Sequence, residues 1–317
     1  MKNVTKTNVL FTMTVLVYII LIHSIGLLPR ELFSLNLILI LPEIILLLPS
    51  LMYVIFLRPQ DVSSYGVAKV SVGTCVASVI IAFCIIPLVS LVNVISSFFV
   101  DNSVEGTLTT IVTENPMWLN LILVALVPAV VEEFIFRGLI FNGYKKRNPL
   151  MAMILSAFLF GLIHMNVNQF SYAFVIGIIF ALLTYATGSI IPSTIAHFVI
   201  NGNSVVLSHL MANVDISTTN TVDTIVEGGQ SEMIAVIIGT IMVLGVFTFL
   251  AAIGLVIAFF LFRYICNKNR GIESVKMIFR KNVRTSYDEE EGKFFDGYLW
   301  LGVGLCLVYI IIYDLIL

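Results

Sequence analysis

Glu132, Glu133 and Arg137 lie within Pro128–Ile140, an otherwise apolar run that is long enough, with its flanks, to cross a bilayer. An ionisable side chain at that depth costs roughly 2.5–3.5 kcal/mol on insertion scales. Three so close together imply a use. On a helix Glu133 and Arg137 are four positions apart and share a face, so they can pair. The pair leaves Glu132 as a net negative charge, about 100° around the axis. A carboxylate with no cation and little water holds a proton more readily, which suits a general base. Two further polar clusters follow. Phe160-Gly-Leu-Ile-His164 carries one imidazole, and Pro192-Ser-Thr-Ile-Ala-His197-Phe-Val-Ile-Asn201 puts His197 and Asn201 four apart on one face. Two histidines, a carboxylate and an amide can bind and polarise a water molecule. The same groups are of types that zinc accepts, with His164, His197 and Glu132 as the ligand candidates, although no HExxH pattern is present.

The rest of the chain has to hold these groups away from lipid. Of its 317 residues 59% are hydrophobic and only 11% charged, against about 25% charged in a soluble domain. The fold class expected is all-α, a multi-pass transmembrane bundle. A span needs about 20 apolar residues, and nine stretches qualify: Thr7–Leu28, Leu35–Leu57, Val72–Val100, Met117–Lys146, Pro149–Met165, Phe170–Thr187, Ile190–Met211, Met233–Tyr264 and Gly297–Leu317. Three spans and a connector make up residues 1–115, a four-helix core 116–212, and a polar loop, two more spans and a charged segment 213–317. The first span reads as uncleaved, and Asn213–Glu232 as an acidic, Thr-rich loop. With the N-terminus cytoplasmic, every basic residue of the 17 except Arg30 falls on the cytoplasmic side, as the positive-inside rule requires. Nothing suggests nucleic acid: no soluble domain carries a basic patch. Cys75, Cys84, Cys266 and Cys306 are scattered, without CxxC spacing, and read as ordinary apolar residues.

Depth decides whether the clusters can meet. Glu132 stands 14 residues from Lys146, roughly 21 Å by helical rise. His164 stands 15 residues from Pro149, roughly 22 Å, across a turn short enough to make these two helices antiparallel neighbours. Asn201 is 11 residues from Ile190, roughly 16 Å, a looser match. All six residues are therefore expected to line one polar pocket. Glu43, between Pro42 and Pro49, is a snorkelling or pocket-lining residue of a kinked helix. His23 and His209 fall near span ends, and Asp288–Glu291 reads as a solvated face.

Glu132-Glu133-x-x-x-Arg137, then Phe160-x-x-x-His164, then His197-x-x-x-Asn201, in that order across four helices, resembles the CPBP family. These are the type II CAAX prenyl proteases and the bacteriocin-processing and "abortive infection" membrane proteins. The resemblance extends over Pro116–Met211, including Arg137-Gly138, Phe160-Gly161 and Thr187-Gly188-Ser189 leading to Pro192. It implies an intramembrane endopeptidase in which Glu132 activates water and His164 assists. His197 and Asn201 would stabilise the oxyanion, and Arg137 would orient Glu133. No cofactor is expected on this view, with a divalent metal such as zinc as the alternative. The implied partners are membrane lipid and a peptide or protein substrate in the membrane, and oligomeric state is left open. Residue usage rich in Ile, Asn and Lys hints at an AT-rich bacterium and favours a bacterial cytoplasmic membrane, and hence bacteriocin or quorum-peptide leader processing over a prenylated CAAX substrate. Competing readings are a non-catalytic scaffold or immunity protein that binds a partner through the same core, and a transporter. The transporter lacks the repeated, broken spans that would support it.

Overall fold

The computed structural model describes residues 2–57, 66–100, 114–212, 221–270, 272–279 and 292–313. Among them nine long helices form one bundle: α1 Asn3–Gly26, α2 Leu35–Leu57, α3 Val72–Ser97, α4 Met117–Lys145, α5 Pro149–Ile163, α6 Val167–Thr187, α7 Ile191–Met211, α8 Thr221–Lys268 and α9 Gly297–Tyr313. No strand occurs among the described residues, only an isolated antiparallel bridge between Val67 and Ser189. Six of the helices are long and apolar enough to cross a membrane; α5 and α9 are apolar but shorter, and α7 is not in either group. The protein is an all-α integral membrane bundle.

Each expected span is a helix, with two differences. The eighth begins at Thr221, so the stretch expected as a loop up to Glu232 is helical from there. The charged segment after it contains a short helix, Ile272–Met277. The connector at 101–113, the loop at 213–220, Arg58, Asp288–Glu291 and Asp314 lie outside the described residues.

Side-chain hydrogen bonds tie the helix ends into two opposite groups. At one end Asn8 of α1 accepts from the Tyr144 hydroxyl of α4 at 2.5 Å and donates to the Phe294 carbonyl ahead of α9 at 3.0 Å. There too Asn269, just past α8, donates to Thr74 at the start of α3. At the other end Asn115 donates to Asn36 at 2.8 Å, His209 near the end of α7 meets the Asn115 carbonyl, and Asn168 of α6 donates to Ser97 at the end of α3. Successive helices therefore run up and down, and Lys2, Lys145, Lys146 and Arg147 share an end.

α4 is the central strut and touches α1, α2, α5, α6 and α7. It is not a regular α-helix. Residues 121–126 and 134–141 are π-helical, on either side of a short α-helical piece, Val127–Glu133. Pro128 has no N–H, and its ring crowds the carbonyl four residues back, at Val124. The widened turn over 121–126 absorbs that conflict. α5 and α6 pack closely because their contact is built from small residues: a Cβ on Gly177 would come within 2.9 Å of the Ala157 Cβ. The corner between α6 and α7 is equally tight. Gly188 takes φ 72° and donates to Thr184 O at 2.8 Å, and Ile190 N donates to Gly66 O at 2.6 Å. Outside this frame the bundle is coated with apolar side chains such as Ile241, Met242 and Phe249 of α8, the surface a bilayer would solvate.

Candidate active site

Glu132 and Glu133 end the α-helical piece of α4, just before its second π-helical stretch. The backbone there sends the adjacent carboxylates to different places. Glu133 goes into the protein and is 0% exposed; Glu132 reaches a cavity and keeps 8% exposure. Behind the cavity, Arg137 Nη1 lies 2.8 Å from Glu133 Oε1, and both side chains are fully buried. The contact is close but not aligned as a hydrogen bond, since neither of those two atoms has a hydrogen-bonded partner among the described residues. The guanidinium is fixed on other sides as well. Its Nη2 donates to Gly177 O at 3.1 Å. Its Cζ stands 4.3 Å from the Phe160 ring centre and 5.2 Å from that of Phe180. A buried guanidinium needs such company, because an unpaired charge in this setting would cost several kcal/mol.

His197 links the pair to Glu132. Its Nε2 is 3.6 Å from Glu132 Oε2 and its Nδ1 is 3.4 Å from Glu133 Oε1. The ring stacks on Phe180 at 5.2 Å and meets the edge of Phe160 at 5.9 Å. Phe160 thus supports Arg137, His164 and His197 together.

His164 sits where α5 stops. Its Nδ1 lies 2.8 Å from Phe160 O, a carbonyl that can only accept, so Nδ1 carries the proton. In the neutral ring Nε2 is then a free acceptor. The next residue, Met165, has φ 51°, a left-handed conformation that side chains other than glycine enter at a cost of about 1 kcal/mol. Asn166 then caps α6 by accepting from Gln169 N at 2.8 Å. This sharp corner puts His164 at the cavity rather than inside a straight helix.

The cavity holds about 520 Å³, and Glu132, His164, His197 and Asn201 all line it. Four of the six expected residues therefore share one space. Glu133 and Arg137 do not line it; they form the layer behind it, which corrects the expectation of six pocket-facing groups. The reason is geometric: the 100° step from Glu132 turns Glu133 off the cavity side, and Arg137, four residues on, shares its face. Among the described residues no group of three or more His, Cys, Asp or Glu is gathered closely enough to hold a metal ion.

Glu43 is the residue that motif reasoning undervalued. It comes from α2, well before the motifs, yet lines the same cavity at 8% exposure. It shares that wall with Glu132, His164 and His197. The available signal was a carboxylate in a span between two prolines. Tyr18, Asn93, Asn168 and Tyr172 also reach the cavity, and nothing in their spacing marked them. By position along their helices, all these residues fall in the half of the bundle away from Lys145.

Residues 114–202 match the family described as type II CAAX prenyl endopeptidase Rce1-like. No curated protein and no solved structure matches the chain.

Proposed function

We propose that this chain, whose core is that of a CPBP-family intramembrane protease, hydrolyses a peptide bond of a membrane-embedded substrate with water activated by Glu132. At the level of the family the activity is that of a CAAX-type intramembrane endopeptidase. The observation that carries the finer reading is the cavity itself. A carboxylate, two imidazoles and an amide from three helices share one space inside an apolar bundle.

In this reading a water molecule gives one hydrogen bond to Glu132 and the other to the free Nε2 of His164. Glu132 takes its proton as the oxygen adds to the substrate carbonyl carbon. The amide of Asn201 donates to the oxyanion, where a fixed dipole is worth most. As the C–N bond breaks, Glu132 returns the proton to the departing amine, so one group serves as base and then acid. His197, with a nitrogen toward each glutamate, holds Glu132 in line. Glu133 and Arg137 keep His197 in place and cancel each other's charge. A leader peptide of a bacteriocin or signalling peptide is the substrate class this reading favours.

The test is Glu132→Gln, reconstituted beside wild type and given a panel of membrane-spanning peptides. The amide keeps the shape but cannot take the proton. A loss of about 10²–10⁴ in kcat is expected. Undiminished cleavage by Glu132→Gln and Glu132→Ala would remove Glu132 as the base.

A further inference from the structure

Three buried polar atoms of cavity-lining residues lack a hydrogen-bonded partner among the described residues: His197 Nδ1, which stands 3.4 Å from Glu133 Oε1, and Glu43 Oε2 and Asn168 Oδ1. The last two are acceptors. Glu43 is 8% exposed and Asn168 only 1%, while the Asn168 amide nitrogen is already used on Ser97 Oγ at 3.3 Å. The ionisable acids on the wall are Glu43 and Glu132, and no lysine or arginine lines it. Arg137 is shut behind the wall and engaged with Glu133, Gly177, Phe160 and Phe180. The basic residues Lys145, Lys146 and Arg147 belong to the opposite end of the bundle. The space thus holds two acidic side chains and an unmet amide oxygen, with no lysine or arginine to meet them.

Glu132 has a potential cation beside it in His197. Glu43 has no ion-pair partner among the described residues, and its Oε2 has no hydrogen-bonded partner there. It is carried by α2 at a point where Pro42 and Pro49 interrupt the helical hydrogen bonding. α2 also lies outside residues 114–202, the part that matches the family. A carboxylate this deep is stabilised by a cation it can hydrogen-bond, and strongly disfavoured without one.

We propose that Glu43 is a substrate-binding residue that takes the positive charge of a lysine or arginine side chain beside the scissile bond, with the Asn168 carbonyl accepting a second hydrogen bond from it. The substrate class is therefore a membrane-associated peptide with a basic residue near the cut. A substrate that brought a carboxylate into the cavity would meet no counter-charge. This inference rests on the endopeptidase reading given above.

The test uses the full chain reconstituted in phosphatidylcholine nanodiscs. The probes are membrane-spanning peptides that differ at one position near the cut, carrying Lys, Arg, Gln or Glu. Wild type is expected to prefer Lys and Arg over Gln by at least about tenfold in kcat/KM, the worth of one charge-assisted hydrogen bond. In Glu43→Gln the Lys-to-Gln ratio should fall to about one, and Glu43→Lys should favour the Glu peptide. An unchanged ratio in Glu43→Gln overturns the proposal. So does a uniform loss across all peptides, which would make Glu43 a partner of Glu132 instead of the substrate. Binding of the same peptides by fluorescence anisotropy gives a readout independent of chemistry. A Lys preference in Kd that Glu43→Gln erases supports the proposal even if no peptide is cut, and equal Kd values overturn it. Cleavage that survives Glu132→Gln refutes the catalytic reading alone, so the two failures are distinguishable.

Discussion

Arg137→Met removes the cation from a pair in which both side chains are fully buried and 2.8 Å apart. Methionine fills similar space but leaves Glu133 as an isolated interior carboxylate. Breaking one side of a buried pair costs about 3–5 kcal/mol. The contact with the Phe160 ring at 4.3 Å is lost as well, worth about 2 kcal/mol when desolvated. These overlap, because the guanidinium is removed only once, so the pair sets the scale. At about 1.4 kcal/mol per decade, the folded-to-unfolded ratio should fall by about two to three and a half decades. Unfolding in mixed detergent and SDS micelles, followed by tryptophan fluorescence and circular dichroism, measures this. The double variant Glu133→Leu, Arg137→Met removes the stranded charge and should recover most of the stability, since apolar replacements of buried pairs are often neutral or better. Its cleavage should stay impaired, because His197 Nδ1 loses the Glu133 carboxylate 3.4 Å away. If Arg137→Met unfolds with wild-type midpoint and slope, the buried pair is not what holds α4, and the reasoning is refuted.

Gly177→Ala would bring a Cβ to 2.9 Å from the Ala157 Cβ and 3.2 Å from Arg137 Nη2, and should destabilise by about 1–3 kcal/mol in the same unfolding assay. Adding Ala157→Gly should restore part of that loss, and no restoration would place the strain elsewhere. His164→Ala should leave the unfolding midpoint near wild type, since the ring's one protein hydrogen bond is to its own helix. It should lower kcat by about 10²–10⁴, as measured on whichever membrane peptide wild type cleaves.

The helical plan was legible because apolar length and the placement of Lys and Arg are global signals that survive local irregularity. The beginnings of α2, α3, α4 and α5 agree with the structure to the residue, since Ser71, Pro116 and Asn148 act as visible stops or caps. What the spacing could not convey was the π-helical backbone of α4. The 100° step from Glu132 to Glu133 was legible, but not that it turns the second carboxylate, with Arg137, away from the cavity and into the interior. Glu43 was visible as a charge in a span, but its partner in space is some ninety residues away in sequence, on a helix that no local period connects to α2. Asn168 and Tyr172 were less legible still, because asparagine and tyrosine near a helix start are ordinary. The start of α8 was misjudged for a related reason: Thr, Asp and Gly between 221 and 232 argue for a loop, yet the helix runs through them.

α7 carries His197 and Asn201 but is not among the six helices apolar enough to cross a membrane on composition. Its polar seam also includes Ser193, which shares a hydrogen bond with Thr184 of α6, and His209, which reaches the Asn115 carbonyl. Such a segment is costlier to place in lipid than its neighbours, and α3, α4 and α6 pack against it. In the endopeptidase reading, insertion and turnover would therefore draw on the same polar atoms. A substitution that loosens those three hosts would first be felt at the translocon, as a chain whose seventh segment never becomes integral, before any defect in turnover could be seen.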